Sequence, residues 1–251
     1  MKALKKPLLI SFILIIVILG ILMVIAMKAQ DRFVEDYLAE IREVKANKTA
    51  LSYPDDLLER KTSLEARLQM AKDDSIGLRI NLKEKMVYLE IQGIVLHRSP
   101  ILRHSSSYFF RHLNATEKYI LFHKPLRIQN EVSTIPKELF IVKIAPKDSS
   151  EVKEATIPDT IHTVPVMYRF NLNHGLRLQV TGQLADSIPQ FWPRLKFDLQ
   201  DRAEFIKALI QNIFKDTKVP YRPTLRIRIN SREAEAIYRA IPRESLVILE
   251  L

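Results

Sequence analysis

The chain has 251 residues, no cysteine, five glycines and a formal net charge of +10. Without cysteine it can form no disulfide, carry no thiol-linked lipid and present no thiolate nucleophile. No Gly-x-x-x-x-Gly-Lys or Gly-x-Gly-x-x-Gly run cradles a phosphate, and no Gly-x-Ser-x-Gly elbow marks a serine hydrolase.

Residues 7–27 contain no charged side chain. At 1.5 Å per residue, this run reaches about 31 Å as a helix, enough to cross a hydrocarbon core. Lys2, Lys5 and Lys6 precede it and hold the 1–6 tail in the cytoplasm. The run is longer than a usual signal-peptide core, so an uncleaved signal anchor is expected; a cleaved signal is the alternative. Either way, residues beyond 28 are expected outside the cytoplasmic membrane.

Residues 28–75 read as a helical stalk with nine basic and eleven acidic side chains. Its first helix, 30–51, carries Val34, Tyr37, Leu38, Ile41, Val44 and Leu51 on one stripe. Pro54 interrupts, and Asp55 and Asp56 suit the start of a second helix over 57–71. Leu57, Leu64 and Ala71 recur at seven, so the stalk can pair with another helix as a coiled coil; a plain spacer or a hairpin packed on the following domain is equally compatible.

From residue 76 the hydrophobic period shortens to two. Leu78-Arg79-Ile80-Asn81-Leu82 and Val87-Tyr88-Leu89-Glu90-Ile91 alternate, and Gln92-Gly93 turns the chain into Ile94-Val95-Leu96-His97-Arg98. Further strands are expected at 119–122, 139–145, 164–171, 176–181 and 246–251. Helices are expected over 201–216 and after Ser231, which can cap, with Glu233 and Glu235 near its positive end. His97, His104 and His112 recur at seven and eight, which fits no common zinc pattern, so no metal or other cofactor is expected. Phe109-Phe110 and Phe191-Trp192-Pro193 are either core or a partner surface. Residues 76–251 hold 27 basic and 18 acidic side chains. On an exported domain this excess suits anionic polymers or lipid head groups, and no nucleic-acid partner is expected.

Four stretches in order resemble the L,D-transpeptidase (YkuD-type) catalytic domain. The 78–95 hairpin is similar to its opening strands. Ile135-Pro136-Lys137-Glu138-Leu139-Phe140-Ile141-Val142 looks like Thr-Pro-x-Gly-x-Phe-x-Ile. Gly175-Leu176-Arg177-Leu178-Gln179-Val180-Thr181 resembles the strand ending Ile-His-Gly-Thr, and Thr224-Leu225-Arg226-Ile227-Arg228 with the acidic helix after it resembles Ser-His-Gly-Cys-Ile-Arg. The resemblance implies an α+β fold, a mostly antiparallel β-sandwich with short helices; the 7–27 run and residues 28–75 place one transmembrane helix and the stalk before it.

It also implies that the chemistry is lost. Arg226 stands at the nucleophile, Leu225 at the glycine and Thr224 at the histidine before it, while Arg228 matches the retained arginine. Gln179 stands at the second histidine, unless His174-Gly175 is the His-Gly pair. Thioester formation needs a thiolate and a proton-transferring histidine, so the domain is expected to be a pseudoenzyme with no catalytic residue. Arg226 and Arg228, two apart, share a face if extended, as do Arg177 and Gln179. Together they suggest an arginine cleft for fixed carboxylates such as those of peptidoglycan stem peptides, unless Glu233, Glu235 or another acid pairs with the guanidiniums. The expected protein sits in a bacterial inner membrane with its C-terminal domain in the periplasm. Its expected partners are peptidoglycan or a cell-wall or division protein, with self-association through the stalk. Two other readings stand beside it: a bitopic assembly subunit of a pilus or secretion machine, whose module would be a ferredoxin-like sheet, and an enzyme with a different nucleophile.

Overall fold

The computed structural model describes residues 53–137, 165–184, 192–199, 202–203 and 221–251, together with scattered helical positions between 14 and 39. The expected 7–27 span, the 30–51 helix and the 201–216 helix lie mostly outside the described residues, and the expected 139–145 strand lies wholly outside them. Among the described residues no helix is long and apolar enough to cross a membrane.

The described residues form an α+β fold built on a nine-stranded, mostly antiparallel sheet. Its strands are β1 (Gly77–Asn81), β2 (Met86–Ile91), β3 (Ile94–Pro100), β4 (Arg103–Ser106), β5 (Leu126–Ser133), β6 (Met167–Leu172), β7 (Arg177–Gln183), β8 (Thr224–Asn230) and β9 (Leu246–Glu250). They lie in the order β3-β2-β1-β9-β5-β6-β7-β8-β4. The β1–β9 and β7–β8 pairs are parallel, and the other pairs are antiparallel. The strands at the two ends of this order, β3 and β4, are consecutive in the chain. At their junction the Ile101 N–H donates to Lys85 O and the Leu102 N–H to Arg228 O, each at 2.8 Å. One strand-like run therefore changes partners at 101–102, and the sheet curls until its two ends meet around a single core.

The turn geometry follows from the residues that form it. Gln92 and Gly93 both take positive φ (50° and 81°), as a tight two-residue hairpin turn requires. Inward residues of β1, β2, β6, β7, β8 and β9, including Ile80, Val87, Phe170, Leu178, Ile227 and Leu249, fill the core. Phe109 and Phe110 join it, buried at 3% and 5% exposure. They belong to the core and offer no partner surface.

The short helices are α1 (Asp55–Met70), α2 (Tyr108–Arg111), α3 (Ala115–Phe122) and α4 (Ser231–Ala240), and residues 192–199 are also helical. In α1, Asp55 and Asp56 occupy the first turn, where the helix dipole favours negative charge. Leu58, Thr62, Ala66 and Met70 recur at four and are buried against Ala115, Tyr119 and Ile248. Of the alternatives open for this part of the stalk, α1 packs on the domain. Its outer side exposes Leu57, Leu64 and Leu68.

Two local expectations need correction. Residues 119–122 are the end of helix α3 and form no strand. The Asn114 side chain accepts from the Glu117 N–H, and Glu117 accepts from the Asn114 N–H, each at 2.9 Å. This reciprocal cap nucleates a helix that a short apolar run cannot announce. For α4, the cap is Asn230, whose side chain accepts from the Arg232 N–H at 3.0 Å; Ser231 is the first helical residue.

Candidate functional site: an arginine-lined sheet face

Along β8, Leu225, Ile227 and Ile229 are buried, while Thr224, Arg226, Arg228 and Asn230 alternate to the opposite face. Register carries that second face across four strands. Arg169 on β6 lies opposite Gln179 on β7, Gln179 opposite Arg226 on β8, and Arg226 opposite Ser105 on β4. The next rows place Arg177 opposite Thr224, and Thr181, Arg228 and Arg103 side by side. One side of this half-sheet is core; on the other, Arg169, Arg177 and Gln179 are buried, Arg228 is half-buried and Arg226 is exposed.

The 192–199 helix roofs part of that face. Arg194, Phe197 and Asp198 follow an i, i+3, i+4 pattern, which puts them on one helical side. Phe197 is buried, and the Arg169 guanidinium stacks on its ring at 4.3 Å from the centroid. Gln179 Nε2 donates to Asp198 Oδ1 at 3.3 Å, and Arg226 Nε donates to Gln179 Oε1 at 3.3 Å. Gln179 therefore bridges the roof and β8 through both ends of its amide. Arg177 Nε donates to Asn171 Oδ1 at 3.1 Å. Burial, reinforced by the Arg228 charge, pushes the Arg194 guanidinium below its ordinary value, against the pull of Asp198.

The structure brings together Gln179, Arg226, Arg177, Arg228 and Thr224. His174 is elsewhere. It sits exposed in the turn between β6 and β7, with φ of 57°, so Gln179 is the residue that meets Arg226. Of the acids suspected of pairing with these arginines, Glu233 pairs with His97 and Glu235 with Arg239 at 2.9 Å. Arg103, Arg169 and Arg194 went unnoticed in the sequence. The alternation of Arg169 within Met167-Tyr168-Arg169-Phe170 was the available signal for one of them. Arg103 lies in a polar edge strand and Arg194 on the roof helix, and neither placement leaves a local pattern.

Chemically the face can bind and orient anions. Planar guanidinium forks suit carboxylate and phosphate oxygens. Among the described residues no thiol, activated serine or histidine lies in the Arg169–Gln179–Arg226–Ser105 row to take a proton from a nucleophile. Comparison of the chain with protein-family models, curated proteins and solved structures finds no match.

Proposed function

We propose that the protein is a non-catalytic relative of the L,D-transpeptidases, anchored in a bacterial inner membrane, that binds peptidoglycan or a cell-wall or division partner through its arginine-lined face. One observation carries this reading. Gln179 and Arg226 lie 47 positions apart in sequence, at the places where the resemblance puts the general base and the nucleophile, and they are hydrogen-bonded neighbours on β7 and β8. An amide in contact with a guanidinium can dock a carboxylate-bearing peptide but cannot form a thioester.

The anchor reading rests on the uncharged 7–27 run. Its described residues Leu14, Val17, Ile21, Met23, Val24 and Met27 are helical, and each is more than half exposed, a surface that lipid would cover. The exposed Leu57, Leu64 and Leu68 of α1 favour self-association. They also keep alive the second reading, an envelope assembly subunit, although the curled nine-stranded order differs from the ferredoxin-like sheet expected there.

The test uses the full chain in detergent with purified sacculi and with tetrapeptide muropeptides. Saturable binding with no acyl adduct by intact mass is expected. A covalent adduct or a cross-linked product would overturn the non-catalytic reading, and absence of binding to both would overturn the peptidoglycan reading.

A further inference from the structure

At the β4 edge of the same face, Arg103 and Arg228 are direct cross-strand partners. Side chains in that relation stand about 4.5–5.5 Å apart at Cβ, and like charges there repel. Neither Arg103 nor Arg228 makes a side-chain hydrogen bond or ion pair among the described residues. On the roof helix Arg194 feels the Arg228 charge as repulsion and Asp198 as attraction, so the uncompensated pair is Arg103 with Arg228. Thr181 lies beside Arg228 on β7, and Ser105 follows Arg103 on the same face of β4, so hydroxyl donors flank the guanidiniums.

We propose that the cross-strand pair Arg103 and Arg228 forms a binding site for a phosphate monoester or diphosphate group. A lone carboxylate carries one negative charge and leaves the Arg103–Arg228 pair with one positive charge unmatched. A phosphate monoester brings roughly −1.5 to −2 and three acceptor oxygens to one point, which matches neighbouring guanidinium and hydroxyl donors. The proposal needs no transpeptidase ancestry, because its residues are defined by register and charge alone.

The experiment titrates the full chain in detergent with inorganic pyrophosphate, and with acetate as the singly charged comparison. Saturable pyrophosphate binding is expected, at least tenfold tighter than acetate and weakening as salt rises. Arg228→Gln and Arg103→Gln should each weaken it at least tenfold, and Arg60→Gln, on the exposed side of α1, should leave it unchanged. Thermal unfolding checks that the variants fold; if Arg228→Gln does not, Arg103→Gln on the exposed edge strand carries the test. Equal affinity for acetate, or binding that both variants retain, overturns the proposal. A second arm separates sources of the phosphate: stronger capture by nanodiscs of phosphatidic acid than of phosphatidylcholine, lost in the same variants, assigns the site to a lipid headgroup. Pyrophosphate binding without that preference assigns it to a soluble or polymer-borne phosphate.

Discussion

Gln179 and Arg226 face each other across the parallel β7–β8 pair, and the Arg226 Nε–H donates to the Gln179 side-chain oxygen at 3.3 Å. The other end of the same amide is held by Asp198. Arg226 is exposed, so a ligand reaching this row meets it first.

Arg226→Ala should weaken muropeptide or sacculus binding by roughly ten- to a hundredfold, the loss expected for a hydrogen bond to a charged group of about 1.5–3 kcal/mol. Isothermal titration would show it, with unchanged thermal unfolding as the control. Full affinity in the variant would place the ligand elsewhere.

On the far half of the sheet, Arg79 Nε bonds Glu90 at 2.7 Å and Arg79 Nη1 bonds Glu250 at 3.2 Å, while its guanidinium stacks on Tyr88 at 3.8 Å. Burial works against the Arg79 charge, but the two carboxylates outweigh it and push the guanidinium above its ordinary value. Arg79→Met strands the Glu90 carboxylate, which is 1% exposed. The expected loss is about 3–5 kcal/mol in urea unfolding; a loss below 1 kcal/mol would show that Glu90 finds another partner.

Tyr168 is fully buried between Phe170 and Tyr238, with ring centroids at 5.1 and 5.0 Å. Its hydroxyl has no hydrogen-bond partner among the described residues, and burial holds it far above its ordinary value of 10.0. A tyrosine that ionises only when unfolded leaves stability independent of pH below 10, where both states are neutral, and destabilises the fold as pH rises past that value. Removing the orphaned hydroxyl in Tyr168→Phe should add about 1–3 kcal/mol at pH 7, and the variant should lose less stability between pH 10 and 11. Denaturant unfolding at the two pH values measures both effects.

Gly182 on β7 touches the start of α4. A Cβ there would lie 2.8 Å from Ser231 Cα and 3.1 Å from Val166 O, both backbone atoms that cannot swing aside. Gly182→Ala should cost about 1–3 kcal/mol and loosen α4, visible as faster amide exchange over 231–240. Unchanged exchange would mean that the helix shifts without strain.

Leu64 and Leu68 lie on the outer side of α1 at 62% and 64% exposure. If that stripe pairs copies of the chain, Leu64→Asp with Leu68→Asp should turn a dimer into a monomer by light scattering, with thermal stability retained. A wild-type monomer would remove self-association from the proposal.

The hairpin through β3 was legible because two-residue alternation and Gln92-Gly93 are local signals, and so was α4 with its acidic first turn. The strand β4 was not: Arg103-His104-Ser105-Ser106 is polar throughout, and only the β8 backbone makes it a strand. Helix α3 was misread because four apolar residues fit either period; the Asn114–Glu117 cap was the overlooked cue. Strand β5 was passed over as well. The arginines could be named one at a time on β7 and β8, but their partners could not.

The amino-acid sequence by itself determines that thiolate chemistry is absent, that residues 7–27 carry no charge, that the domain beyond residue 76 is basic, and that its strands alternate. These are properties of composition and short-range period. Only the tertiary structure decides that Gln179 meets Arg226, that Arg103 stands against Arg228, and that α1 lies on the domain. Each of these depends on the register between strands, or the seating of a helix, far apart in the chain. Register is set by which residues the curled sheet must bury together, and no local pattern records it.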